Sequence, residues 1–115
     1  MYSNTEKGKI SEDLCCNYLS SRGYEILERN YRTQKGEIDI IALKDDNLSF
    51  IEVKTLPKEW DLSDIRYKID NLKKNKIKYT AVDFIQKNNK KNFTSISFDV
   101  FVVQGSDYIF FDGVF

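Results

Sequence analysis

Two short apolar runs, Ile38–Leu43 and Leu48–Val53, stand either side of a polar gap, Lys44–Asn47. Runs rich in Ile, Val and Phe around a turn-prone gap predict two strands joined in a hairpin. Ahead of them, Ile10, Leu14, Tyr18 and neighbouring Leu19 recur at helical spacing. Ser3 or Asn4 is placed to cap that helix, and Gly23 to stop it near Arg22. Tyr24–Tyr31 reads as a strand and Gln34-Lys35-Gly36 as a turn. Leu56 to Asp61 is a loop holding the single proline, Pro57, and the single tryptophan, Trp60. Ser63 to Asn89 is predicted helical, with Ile77, Ala81, Phe84 and Ile85 as its apolar face and Asp70 as a cap for its main part. Thr94–Val103 alternates Ile96, Phe98, Val100 and Val102, a strand with one buried face. Gly105-Ser106 turns into a last short strand, Tyr108–Phe111. The order helix, three strands, helix, strands predicts one α/β domain over residues 1–115.

Three charges interrupt the central runs: Asp39, Glu52 and Lys54. Apolar runs of this kind usually lie in the buried centre of a sheet, where unpaired charge is expensive. With Asp45-Asp46 as a two-residue loop, Leu43 faces Leu48 and Asp39 falls opposite Glu52. Alternation then adds Glu37 and Lys54 to the same face. A loop at Asp46-Asn47 would pair Asp39 with Lys54 and still keep all four together. A three-residue loop would send one strand's charges to the other face. Acids crowded in this way repel unless a cation offsets them. An acid followed by acid-x-lysine is the set that a divalent-metal phosphodiesterase needs: carboxylate oxygens for a hard cation, and a lysine beside the phosphate. The competing reading is a hairpin with surface salt bridges, Glu37–Lys54 and Lys54–Asp39. Glu52-x-Lys54 is the single acid-x-lysine of the chain and lies inside an apolar strand.

Composition narrows the chemistry. The 115 residues are 41% hydrophobic, enough for one core. There is no histidine, which removes histidine bases, serine triads and the usual zinc sites. Two adjacent cysteines, Cys15 and Cys16, suit free thiols in a reducing compartment. The absence of an apolar secretory core or a membrane-length run predicts a cytoplasmic protein away from the membrane. Net charge is zero but uneven: residues 63–92 hold nine basic and three acidic residues. Lys73, Lys74, Lys76, Lys78, Lys87, Lys90 and Lys91 are thus either a phosphate-binding stripe or a solvated helix face. Trp60 is placed either to stack on a base or to pack over the core edge.

Gly8-x-x-x-Glu12, Ile26-Leu27-Glu28-Arg29-Asn30-Tyr31-Arg32, Gly36-Glu37-Ile38-Asp39-Ile40-Ile41-Ala42 and Phe50-Ile51-Glu52-Val53-Lys54 together resemble the YraN family of small bacterial proteins. Ile69, Lys73, Lys76, Ile77, Ala81 and Phe98-Asp99-Val100 extend the resemblance over nearly the whole chain. It implies a restriction-endonuclease-like three-layer core, with a mixed sheet of about five strands flanked by helices, and a site of the PD-(D/E)xK nuclease superfamily. Asp39 and Glu52 would then be metal ligands, with the Val53 carbonyl, and Lys54 the catalytic lysine. Glu12 would be a further acid from the first helix, and the role of Glu37 stays open. The expected activity is Mg²⁺- or Mn²⁺-dependent endonucleolytic hydrolysis of DNA, branched or structured DNA included. Lys73 and Lys76 would contact backbone phosphates. Alternatives are a nucleic-acid-binding module with the fold but little catalysis, or a protein-interaction domain. The oligomeric state, a dimer included, is left open.

Overall fold

The computed structural model describes residues 4–61, 63–65, 67, 74–88 and 92–114. Elements follow in the order α1 (Asn4–Ser21), β1 (Glu25–Arg32), β2 (Glu37–Lys44), β3 (Asn47–Leu56), α2 (Lys74–Lys87), β4 (Ser95–Gln104) and β5 (Asp107–Phe111). The five strands form one mixed sheet whose spatial order equals the chain order. β1–β2, β2–β3 and β4–β5 are antiparallel, and β3–β4 is parallel. A parallel pair cannot be closed by a hairpin, so the chain crosses between β3 and β4 through α2. This is the mixed, helix-flanked α/β architecture expected from the sequence.

The two helices cover opposite faces. Neighbouring residues alternate sides along a strand. Ile41, Leu48, Phe50 and Phe98 pack with Ile77, Ala81 and Phe84 of α2. Ile40, Ala42, Ile51, Phe101 and Val103 pack with Cys15 and Leu19 of α1. A third cluster, Leu56, Ile65, Val100 and Val102, is joined by Trp60.

α1 ends as Gly23 predicts. The Gly23 amide donates to the Ser20 carbonyl at 3.2 Å and the Tyr24 amide to that of Leu19 at 3.0 Å. Gly23 takes φ 89°, a left-handed stop that spares a side chain. The buried stripe of α1, however, is Ser11, Cys15 and Leu19, whereas Ile10 is 47% exposed. Of the stripe expected at Ile10, Leu14, Tyr18 and Leu19, Leu19 is buried and Leu14 and Tyr18 pack half-buried against the same cluster, while Ile10 turns outward. Small side chains let the helix come close to the sheet, and the Ser11 and Thr55 hydroxyls meet at 2.6 Å. In the expected span from Ser63 to Asn89, residues 63–65, 67 and 74–87 are helical. Asp70, Lys73, Lys90 and Lys91 lie outside the described residues.

Candidate active site

The site grows from the β2–β3 hairpin. Asp45 and Asp46 both take positive φ, 49° and 65°. That is the two-residue loop whose twist matches antiparallel strands. Paired residues run from Lys44–Asn47 to Ile40–Ile51. One further step sets Asp39 against Glu52, and there the ladder stops. In an unbroken ladder the Val53 amide would donate to the Ile38 carbonyl. It donates instead to Asp39 Oδ2 at 2.8 Å. The other flank stays paired to Arg32–Glu37 but carries a backbone irregularity. Arg29 pairs with Ile40 and Tyr31 with Ile38, so Asn30 falls opposite Asp39, and Asn30 has φ 52°. The carboxylate therefore sits where the β2–β3 ladder ends, opposite a left-handed residue of β1.

Electrostatics follow from this burial. Burial pushes the Asp39 carboxyl up to about 6, against the opposing pull of the Val53 amide; Glu12 and Glu37 raise it further and Lys54 lowers it. Glu52 is pushed up to about 8 by burial and then by Asp39, with Lys54 again opposing. Among the described residues none hydrogen-bonds Glu52 Oε1, which is buried. A buried carboxylate oxygen without a partner costs about 1–3 kcal/mol or more and calls for an explanation. Proton uptake is one resolution and a cation is the other.

Lys54 is half-buried and acts on both acids by its charge. None of the salt bridges among the described residues joins it to Asp39, Glu52 or Glu37. The surface-pair reading of the hairpin is therefore not what the structure has; Glu37 pairs with Arg32 at 3.3 Å. Glu12 stands near enough to bias Asp39, yet its own Oε1 lies 3.1 Å from Asn30 Nδ2 and 3.5 Å from the Arg29 guanidinium. Asp13 shares that guanidinium at 2.8 Å. The Val53 amide donates to Asp39 Oδ2 at 2.8 Å.

Lys76 is exposed on α2, and Lys73 is outside the described residues. Trp60 packs on the third core cluster, and its carbonyl accepts from Gln104 Nε2 at 2.6 Å. Arg29 and Asn30, which hold Glu12, escaped the sequence reading. Asn30 in mid-strand was the available signal, since Asn is the residue that takes positive φ most readily after Gly.

The donor set suits a hard divalent cation in part. Among the described residues no three side chains of Asp, Glu or Cys converge as a metal cluster. Two carboxylates with one unpartnered oxygen leave the rest of the shell to water or phosphate. Mg²⁺ is commonly held that way, by one or two carboxylates, waters and substrate oxygens. Among the described residues no helix is long and apolar enough to cross a membrane.

Residues 11–103 match the profile described as Uncharacterised protein family UPF0102. A UPF0102 protein of Dictyoglomus turgidum is 44% identical over 98 residues, covering 85% of this chain and 81% of that protein. One from Sulfurihydrogenibium sp. is 39% identical over 111 residues, 96% of this chain and 95% of its own length. One from Clostridioides difficile is 42% identical over 106 residues, 88% and 87% respectively. The matched span contains Glu12, Asp39, Glu52 and Lys54.

Proposed function

The chain belongs to the UPF0102 family, whose motifs it shares under the name YraN, and we propose that it is a Mg²⁺- or Mn²⁺-dependent nuclease hydrolysing phosphodiester bonds of DNA. The observation that carries this reading is the pairing of Asp39 with Glu52 where β2 and β3 part, with Glu52 Oε1 buried and unpartnered. Asp39, Glu52 and the Val53 carbonyl would hold the ion. When bound, it supplies Lewis acidity and eases ionisation of a water. The Val53 amide fixes Asp39 Oδ2. Lys54 brings positive charge to the charge that builds on the phosphate. Glu12 adds negative charge from α1 and is oriented by Arg29 and Asn30. Lys76, with Lys73, would meet backbone phosphates away from the reacting bond. Free thiols at Cys15 and Cys16 agree with a reducing, cytoplasmic setting.

The engagement of Glu12 and, among the described residues, the lack of a third converging acid favour a second reading: a nucleic-acid-binding domain with this fold and little turnover. A substrate panel of duplex, flap, junction and single-stranded DNA and RNA, each with Mg²⁺ and with Mn²⁺, separates the two. Metal-dependent cleavage that disappears in Glu52→Ala is expected. Binding without cleavage in any lane supports the second reading and ends the first.

A further inference from the structure

Away from the acids, a cleft of about 550 Å³ opens between the β1–β2 turn and α2. Arg32 and Lys35 line it from the turn, and Tyr79, Val82, Asp83 and Lys87 from the helix. Its volume suits a small-molecule-sized group. Tyr79 is 59% exposed and Val82 50%, apolar surface left uncovered on a helix whose other side is core. The Lys35 ammonium stands over one face of the Tyr79 ring, 4.8 Å from its centroid, a cation–π contact that sets a positive charge beside the exposed aromatic surface. Among the described residues three cations and one acid line the walls; the acid, Asp83, is held by the Tyr31 hydroxyl and by Lys87 at 3.3 Å, and Arg32 pairs with Glu37 at 3.3 Å.

The cleft is preorganised. A β-carbon on Gly36 would lie 3.0 Å from Thr80 Oγ1 and 3.3 Å from the Lys76 carbonyl, so the turn is seated directly on α2. The Thr33 amide closes the turn on the Gly36 carbonyl at 2.8 Å, and the Lys35 amide donates to Thr33 Oγ1 at 3.2 Å. Arg32 also lines a second cleft, together with Glu12 and Glu37. Glu37 is two strand residues, about 7 Å, from Asp39. The Tyr79 cleft thus adjoins, at Arg32, the cleft that holds Glu12 and Glu37.

We propose that this cleft takes an unpaired nucleobase, with Tyr79 as the stacking platform and Arg32 and Lys35 on the adjoining phosphates, so that the protein selects single-stranded or frayed nucleic acid. Every base has a π-face, and an aromatic ring flanked by cations is the device that binds single strands without reading their sequence. A paired base is sheathed on both faces by its neighbours and cannot enter. The inference rests on the nuclease reading and names its substrate class.

Fluorescence anisotropy in EDTA, with labelled oligothymidylate and its blunt duplex with oligodeoxyadenylate, tests it without turnover. Tyr79→Ala should weaken single-strand binding about tenfold or more. Tyr79→Phe should stay near the parent, and duplex binding should change less than about twofold. Circular dichroism with an unchanged melting midpoint shows that the variants fold. Three results overturn the proposal: a Tyr79→Ala protein that binds oligothymidylate like the parent, an equal loss on both probes, or a parent that binds neither. The last would mark Tyr79 and Val82 as a protein contact. Selective loss in Tyr79→Ala with no metal-dependent cleavage of any substrate would uphold the stacking site and defeat the nuclease reading, so the two fail separately.

Discussion

Glu52 keeps its proton well above the pH at which a free glutamic acid loses it, and this ties the acid pair to stability. Its carboxyl rises from 4.5 to about 8, and that of Asp39 from 3.8 to about 6, with burial the first cause in both. The folded protein then binds more protons than the unfolded chain between about pH 4 and pH 8. Stability is therefore full below the unfolded values and is lost as pH rises through the folded ones. Melting scans in EDTA should show the midpoint falling from pH 5 to pH 8. Glu52→Gln should flatten that fall and raise the midpoint at pH 8 by about 4 °C or more, since 1 kcal/mol moves a small domain by about that much. A Glu52→Gln scan parallel to the parent's would refute the buried-acid account. Lys54, which opposes both acids, has a different role. Lys54→Ala should lower cleavage by about a hundredfold or more while DNA affinity, read by anisotropy, stays within about twofold. The opposition of Asp39 and Glu52 was legible in the sequence because an even loop fixes both register and face. The partners of Glu12 were not, because they depend on a left-handed Asn30 in the middle of a strand.

Among the elements, the turn from Thr33 to Gly36 sits so close to helix α2 that a methyl group on Gly36 would make its neighbours shift. Gly36→Ala should destabilise by about 1–3 kcal/mol, because the new carbon meets the Thr80 hydroxyl and the Lys76 carbonyl. Trimming the hydroxyl relieves one of the two. The Gly36→Ala, Thr80→Ala pair should therefore cost less than the sum of the single changes, a coupling that denaturant titration of all four proteins measures. Strand order, the hairpin and both helices could be read from apolar spacing. The phase of α1 could be read at Leu14, Tyr18 and Leu19 but not at Ile10. Spacing of large residues favoured Ile10, while close approach to the sheet selects Ser11 and Cys15, whose smallness hides them from a hydrophobic pattern. The Tyr79 cleft was equally invisible, since it arises where a turn meets a helix more than forty residues away in sequence.

At the scale of the whole molecule, a cation that binds only the folded acids must stabilise the entire domain by mass action. Millimolar Mn²⁺ should raise the parent's melting midpoint by several degrees at pH 8 and leave Asp39→Asn unmoved; calorimetry finding equal midpoints for the parent with and without metal would exclude the site. The sheet has a consequence for how the chain reaches its final form. β1, β2 and β3 form a local meander and β4–β5 a local hairpin, and the two pieces join through one parallel ladder from Asn47–Ser95 to Leu56–Gln104. Closing that ladder requires the whole crossover, residues 57–94, to be looped first, so it should pace refolding. Val102→Ala, at the junction and in the cluster that Trp60 covers, is expected to slow refolding more than it speeds unfolding in stopped-flow Trp60 fluorescence. Asp39, Glu52 and Lys54 all belong to the earlier, local piece. They can meet while still wet, and become a dry, proton-hungry pair only when the second half of the chain arrives.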